Sequence, residues 1–153
     1  EAEAQRAAAA KAEAERKAQV AAAAKRTAAE ASLRCIQTMR SIAKAGPIRF
    51  RSASATLSRR SKGTIAKLAA TATGCPNTLI LIEGHTDASG PEDLNKRLAN
   101  ERAATVRRAL VAAGVSADQL RAEGFGEEKP IANNRTPEGR ALNRRIEFSI
   151  PEQ

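Results

Sequence analysis

The strongest constraint on the fold is a run of four apolar residues, Leu79 to Ile82, that leads into a polar turn. A continuous apolar run of this length is typical of a central strand that is buried on both faces. The turn Gly84-His85-Thr86-Asp87 then lies at the carboxyl end of that strand. Ligands of open α/β sheets bind outside the carboxyl ends of strands. Asp87 is therefore the first candidate for a binding residue.

The rest of the pattern alternates strands with helices and ends in a strand. The order β-α-β-α-β-(α)-β predicts an α+β or α/β fold, with a mixed four-stranded sheet and helices packed on one face. At least the first two strands are expected to be parallel, and the last strand, after a short connection, antiparallel. The predicted elements are a strand at 48–53, a helix through 65–72, a strand at 79–83, a helix at 93–113, a strand at 120–125, a short helix from 136, and a strand at 144–150.

The N-terminal segment, residues 1–34, differs in composition from the rest of the chain. It is rich in Ala, Glu, Lys and Arg, which favour helix, and it has no apolar stripe to bury. We therefore predict an Ala-rich helical tether or linker at 1–34 and a folded domain at 35–153. Because the sequence starts inside the tether pattern, we expect it to be a fragment or a processed form.

Composition narrows the classes of function. The chain holds 26 Lys and Arg against 17 Asp and Glu, a formal charge of +9, which favours anionic partners. It has no Trp or Tyr and only three Phe, so platforms for stacking bases are scarce. A basic nucleic-acid-binding domain remains the alternative function. His85 is the one histidine and no serine lies in a nucleophile elbow, so we expect no enzyme, metal or cofactor and assign His85 to stabilising the turn.

A second candidate, Arg102, lies on the helix that follows the turn. Leu98, Arg102 and Val106 are spaced by four, so the guanidinium sits close to the face that packs on the sheet. A charge in that position needs an anionic partner, and Asp87 is the nearest candidate. Two interpretations stay open: a structural ion pair, or a split pair in which Asp87 takes an ammonium and Arg102 takes a carboxylate.

The two cysteines have a spacing that fits no metal site. Cys35 precedes the first predicted strand, and Cys75 lies in the Gly74-Cys75-Pro76 turn before the second. Since both flank elements that should be neighbours, we predict a disulfide formed in an oxidising compartment, with two unrelated buried thiols as the alternative.

Several motifs together carry a resemblance to a known family. Over about residues 47–150 the chain resembles the OmpA-like peptidoglycan-binding domain, which includes the periplasmic end of OmpA porins, peptidoglycan-associated lipoproteins and flagellar stator proteins. The placement of the two cysteines is similar to that in a subset of the family. The matching motifs are Gly84-His85-Thr86-Asp87, Gly90, Asn95-x-x-Leu98-x-x-x-Arg102-Ala103, Gly124-x-Gly126, Pro130 and Gly139-Arg140-Ala141-x-Asn143-Arg144-Arg145-Ile146-Glu147-Phe148.

The resemblance implies a non-catalytic domain that grips the diaminopimelate residue of the peptidoglycan stem peptide. By its motifs, Asp87 takes the ammonium and Arg102 the carboxylate of that residue. Ser89 and Asn95 fall at supporting positions, and Arg145 falls near the second charged group of the ligand.

The resemblance also implies a location. We expect a periplasmic domain that anchors an outer-membrane or envelope protein to the cell wall, attached to the outer membrane through a part upstream of residue 1. It leaves open whether the chain forms a dimer.

Overall fold

The apolar run predicted to be a central strand forms the middle of the sheet. Strand β1 (Ile80–His85) lies between β2 (Leu120–Gly126) and β3 (Arg145–Ser149). It pairs in parallel with β2 and antiparallel with β3, as predicted for the last strand. Ile80 and Ile82 are completely buried, which is the physical basis of the apolar run. The carboxyl end of β1 therefore opens onto the turn that carries Asp87.

A computed structural model describes residues 1–152 of the chain. Within them the three strands are accompanied by four α-helices and one short 3-10 helix at Ala117–Gln119. The predicted helices are all present, with ends shifted by a few residues. The short last helix begins with proline, a residue that is common at the first position of helices. The helices are α1 (Ala2–Ala45), α2 (Ser61–Thr73), α3 (Glu92–Ala112) and α4 (Pro137–Asn143).

The predicted first strand, and with it the four-stranded sheet, is wrong for the described residues. The segment from Ile48 does not join the sheet but turns back on itself, with an isolated bridge between Phe50 and Leu57. The amide of Arg51 donates to the carbonyl of Thr56 at 2.9 Å. Since these backbone groups are satisfied locally, the segment has no need of a sheet partner. The sheet is a mixed sheet of three strands, and no parallel pair forms between this segment and β1.

Two glycines let α3 lie directly on the sheet. A Cβ atom on Gly84 of β1 would collide with the backbone carbonyl of Ala99, and one on Gly124 of β2 would collide with the backbone amide of Asn100. The side of α3 that faces the strands is completely buried at Ala99 and Val106. This close approach sets the height of α3 above the sheet, and so the position of the polar side chains that α3 presents beside the turn.

The first helix crosses a boundary between two compact units. The first unit is Glu1–Ala31, in which every residue is exposed, and the second begins at Ser32. The buried residues of α1 are Cys35, Ile36 and Met39, all in the second unit. No helix within residues 1–152 is both long enough and apolar enough to cross a membrane.

The predicted disulfide is present. Cys35 of α1 and Cys75, in the loop after α2, are bonded, with their Cα atoms 6.4 Å apart. This separation lies in the usual range for disulfides. The bond ties the second unit's entry helix to the loop that precedes β1.

Removing the disulfide should destabilise the fold. Replacing both cysteines, Cys35→Ala with Cys75→Ala, is expected to lower the free energy of unfolding by about 3–4 kcal/mol, because the unfolded chain regains the freedom of a long closed loop. Urea denaturation with and without reductant measures this change. Reductant should destabilise the parent protein and leave the double variant unaffected; an unchanged parent would contradict the prediction.

Removing the exposed start of α1 should have little effect. Deletion of residues 1–31 is expected to leave the melting temperature of the remainder almost unchanged, because no residue of that segment is buried. A matched deletion of residues 1–39 also removes Cys35, Ile36 and Met39 and should lower the melting temperature strongly. Equal losses from the two deletions, measured by thermal circular dichroism, would refute the prediction.

Candidate ligand-binding site

The turn after β1 holds the Asp87 carboxylate in a fixed orientation. One carboxylate oxygen accepts the backbone amide of Ser89 at 2.8 Å, which closes a local turn. The side-chain amide of Asn95, on α3, donates to the carbonyl of Ser89 at 2.9 Å and to the carbonyl of Asp87 at 3.4 Å. Ser89 and Asn95 thus hold the loop around Asp87 in shape. The second carboxylate oxygen, Oδ2, accepts no backbone hydrogen bond from the loop and is bound by a side chain instead.

That side-chain partner is Arg144, which follows α4. Its Nη1 atom lies 2.6 Å from Oδ2 of Asp87, and the Asp87 side chain is only 10% exposed. Burial alone would raise the pKa of Asp87, but the hydrogen bonds from Arg144 and from Ser89 outweigh burial and hold the pKa below its usual value. Asp87 is therefore a buried, ionised carboxylate.

Arg102 is near this pair but is held by other groups. Its Nε donates to the carbonyl of Ser54 at 2.8 Å, and its guanidinium lies 5.0 Å from the centre of the Phe50 ring. Both partners belong to the local hairpin that replaces the predicted first strand. A direct Asp87–Arg102 ion pair, one of the two open interpretations, is not among the ion pairs of residues 1–152. Burial first, and then the positive charge of Arg144, lower the pKa of Arg102, while Asp87 opposes them.

The arginines face one cleft of about 340 Å³. Its lining holds four arginines, Arg49, Arg102, Arg144 and Arg145, and no carboxylate among the described residues. Phe50 and Ile48 supply part of its apolar wall. Since Asp87 is bound to one of these arginines, the site combines a buried acid with an arginine-lined cleft, and it can recognise a ligand that carries both signs of charge.

Arg145 is more firmly held than the other arginines of the cleft. Its guanidinium donates to the carbonyls of Asn143 and Lys129 at 3.1 and 2.9 Å and pairs with Glu147 at 3.0 Å. Its side chain is 14% exposed. Arg145 therefore contributes a fixed positive charge to the wall of the cleft.

His85, on the central strand, contacts Glu147 of β3 through a hydrogen bond and Phe125 of β2 through ring stacking. Its Nε2 lies 3.1 Å from Glu83 and 3.2 Å from Glu147, and its ring stacks on Phe125. These three groups are close enough to ligate a metal ion. A histidine that binds a metal usually donates its other ring N–H to an acceptor, but Nδ1 of His85 is buried with no partner in the described part of the chain. The cluster therefore fits a hydrogen-bonded support beneath the Asp87 turn better than a metal centre.

Sequence reasoning missed the residues that link the last motif to the turn. Asn143 is completely buried, accepts the amides of Ile131 and Ala132, and donates to Asn134 at 2.7 Å. Asn134 in turn accepts the amide of Ala88 at 3.3 Å. The sequence patterns gave neither Asn134 nor Arg144 a role in the site. The only signal in the sequence was the motif Asn143-Arg144-Arg145 itself, because its partners lie far away along the chain.

Comparison with known proteins shows the family and the relatives to which this chain is similar. The OmpA family model matches residues 49–144, which contain the Asp87 turn, α3 and Arg144. The chain is 41% identical over 103 residues to the probable lipoprotein YiaD of Escherichia coli, an alignment that covers 67% of this chain and 47% of YiaD. It is 40% identical over 105 residues to the peptidoglycan-binding protein ArfA of Mycobacterium tuberculosis, covering 69% of this chain and 32% of ArfA.

A solved structure agrees with the fold. The peptidoglycan-associated lipoprotein from Burkholderia pseudomallei superposes with a TM-score of 0.61 and 33% identity, over 67% of this chain and 86% of that chain. The chain spans less than half of the length of the two curated relatives. The similarity therefore concerns one domain of those proteins.

The hydrogen-bonded position of Glu147 predicts a specific acid sensitivity. The hydrogen bond from His85, together with Arg145, lowers the pKa of Glu147 from 4.5 to about 2 in spite of its partial burial. Because the folded-state pKa is depressed, the stabilisation is present above the unfolded pKa and is lost as the pH falls through the folded pKa. Glu147→Gln should therefore be less stable than the parent protein at neutral pH, and the difference should shrink as the pH falls from about 5 to about 2.

Urea denaturation of both proteins across this pH range measures the difference in free energy of unfolding. Glu101→Gln, an exposed change on α3, is the matched control and should show a small difference at every pH. The size of the Glu147 effect is reduced by solvent, because its side chain is 47% exposed. A difference that does not depend on pH would contradict the assignment.

Proposed function

We infer that this chain, which belongs to the OmpA family, binds peptidoglycan non-covalently and does not cleave it. One relative is named a peptidoglycan-binding protein, and the solved structure with 33% identity is a peptidoglycan-associated lipoprotein. The observation that carries the proposal is the buried Asp87 carboxylate beside a cleft lined by arginines. Peptidoglycan stem peptides carry amino-acid centres with both signs of charge, and such a site can hold one by both charged groups.

The ligand group that we propose is the side-chain centre of diaminopimelate. It carries an ammonium and a carboxylate on one carbon, so it needs an acceptor and a donor at the same time. Asp87 offers an acceptor-only carboxylate to the ammonium. Arg102 offers a planar, bidentate donor to the carboxylate. Burial and the charge of Arg144 lower the pKa of Arg102, so a bound anion would stabilise its charged form.

Arg144 has a part in this proposal that the sequence did not suggest. Its guanidinium pairs with Asp87, yet its side chain is 47% exposed and so has room to move. We propose that the ligand ammonium takes over Oδ2 of Asp87 and that Arg144 turns to the ligand carboxylate beside Arg102. This exchange keeps the buried Asp87 carboxylate paired throughout, which avoids leaving a charge buried without a partner.

The remaining candidates have supporting roles in the proposal. Ser89 and Asn95 keep the Asp87 turn in shape through the hydrogen bonds described above. Arg145, fixed by Glu147 and two carbonyls, supplies positive charge on the wall where the second charged group of the ligand would lie. Loss of Ser89 or Asn95 side chains would then weaken binding through disorder of the turn rather than through lost ligand contacts.

We also propose the cellular role. The domain holds an envelope protein to the cell wall from the periplasm, with the remaining part of the protein at the outer membrane. The lipoprotein and outer-membrane names of relatives support this proposal. The disulfide between Cys35 and Cys75 suits an oxidising compartment.

Removal of either charge, at Asp87 or at Arg102, should abolish most binding. Asp87→Ala and Arg102→Ala are each expected to weaken binding by roughly 2–5 kcal/mol, because each change leaves one charged group of the bound ligand without its partner. Arg102→Lys should also bind poorly, since an ammonium cannot reproduce the bidentate fork. Pull-down with purified peptidoglycan sacculi, with free diaminopimelate as competitor, measures the loss.

Two matched controls lie on α3. Asp93→Ala and Arg97→Ala remove exposed charges of the same kinds outside the cleft and should leave binding unchanged. If the Asp87 and Arg102 variants bind like the parent protein, the constellation is structural and the ligand lies elsewhere. Competition by lysine as effective as that by diaminopimelate would argue against the proposed ligand group.

Salt separates this function from the alternative. Binding of a basic domain to nucleic acid releases many counterions and falls steeply with salt. Binding of one amino-acid centre by the partly buried Asp87 and Arg102 should lose far less affinity between low and moderate salt. Retained binding to sacculi, and loss of binding to nucleic acid over the same salt range, is the expected result.

A further inference from the structure

A second concave surface lies on the side of β3 away from β1. This surface, which we name the basic groove, has a volume of about 450 Å³ and runs between the end of α1 and the α4–β3 corner. The buried side chains of Ile48 and Phe148 contribute to its floor. Ile131 and Leu142 stand at its edge and are 61% and 59% exposed. Large aliphatic side chains exposed together beside a groove indicate a surface that contacts a partner.

The charge around the basic groove is strongly one-sided. Its single acid, Glu147, is already paired with His85 and Arg145. The other charged groups of the lining are basic. Arg144 is paired with Asp87 and Arg145 with Glu147, whereas Arg40, Lys44 and Arg49 have no carboxylate partner among the described residues and can attract an anionic partner. The five basic residues of the lining are Arg40, Lys44, Arg49, Arg144 and Arg145.

The end of α1 is fixed where it borders the basic groove. Nε of Arg40 donates to the carbonyl of Phe148 at 2.9 Å, so this arginine bridges α1 to the edge strand. Met39 and Ile36, on the same helix, are buried in the core. The groove is therefore a preformed feature of the second unit, and its volume falls in the usual range for binding pockets of roughly 300–1,000 Å³.

We propose that the basic groove docks an acidic peptide segment with aliphatic side chains, supplied by a partner protein. The aliphatic side chains of the peptide cover Ile131 and Leu142, and its carboxylates pair with the basic residues of the groove. A second copy of this chain is a poor occupant, because the formal charge of +9 makes two copies repel.

The basic groove can be tested with residues that do not line the proposed ligand site. Three arginines, Arg49, Arg144 and Arg145, line both the groove and the cleft, so they are left unchanged. Leu142 and Lys44 line the groove alone and are exposed, so their substitution should not disturb folding. Failure of this proposal would therefore leave the assignment of Asp87 and Arg102 untouched.

The test uses a fluorescein-labelled nonapeptide that alternates glutamate with isoleucine or valine, titrated with the full chain and followed by fluorescence anisotropy. Saturable binding is expected, and Leu142→Glu and Lys44→Glu should each weaken it by about tenfold. The matched controls Leu94→Glu and Lys67→Glu change equally exposed residue types outside the groove and should bind like the parent. Circular dichroism verifies that all four variants are folded.

Four results would overturn the proposal. The first is no saturable binding of the acidic peptide up to about 1 mM, a concentration that corresponds to very weak association. The second is equal binding of a peptide in which lysine replaces every glutamate. The third is equal loss of affinity in groove and control variants. The fourth is tighter binding to vesicles of anionic lipid that is lost in Leu142→Glu, which would assign the groove to a membrane instead.

Discussion

The ion pair between Asp87 and Arg144 joins two loops that are 57 residues apart in the chain. Asp87 follows the central strand, and Arg144 stands between α4 and the edge strand, so the pair forms only once β3 has aligned against β1. Around it, Asn143 and Asn134 connect the same two segments through uncharged hydrogen bonds. Because Asp87 is almost fully buried, its charge requires such a partner, and the partner keeps the carboxylate ionised and correctly aimed.

The arginines of the cleft follow from the same requirement. Four guanidiniums in one lining repel one another, and this repulsion is relieved in part by Asp87 and by Glu147. Arg102 has no carboxylate partner among the described residues, since its contacts are a carbonyl and an aromatic ring. An anionic ligand group would complete the charge balance at this arginine. The local hairpin that holds Arg102 is thus part of the site.

One short segment, Asn143 to Phe148, serves several surfaces at once. Asn143 supports the neighbouring loop, Arg144 pairs with Asp87, and Glu147 joins the His85 cluster. Asn143 ends α4, Arg144 follows that helix and Glu147 lies in β3, so the three side chains reach different neighbours. The segment can therefore line the cleft and the basic groove together, with the disulfide and α1 steadying the far side of the groove.

Much of the architecture could be read from local pattern. The apolar run before Asp87 predicted a central buried strand, and the alternation of apolar and polar residues predicted α2, α3 and α4, because each pattern depends on residues close together in the chain. The motif around Asp87, Arg102 and Arg145 indicated the family. The prediction of a sheet strand at Ile48 was wrong, because a period-two alternation fits a sheet strand and a local hairpin equally. The outcome depended on where the backbone hydrogen bonds of this segment could be satisfied. Only the tertiary structure decided that Arg144, rather than Arg102, is the partner of Asp87, since a long-range ion pair depends on the approach of β3 to β1, which no local sequence pattern encodes.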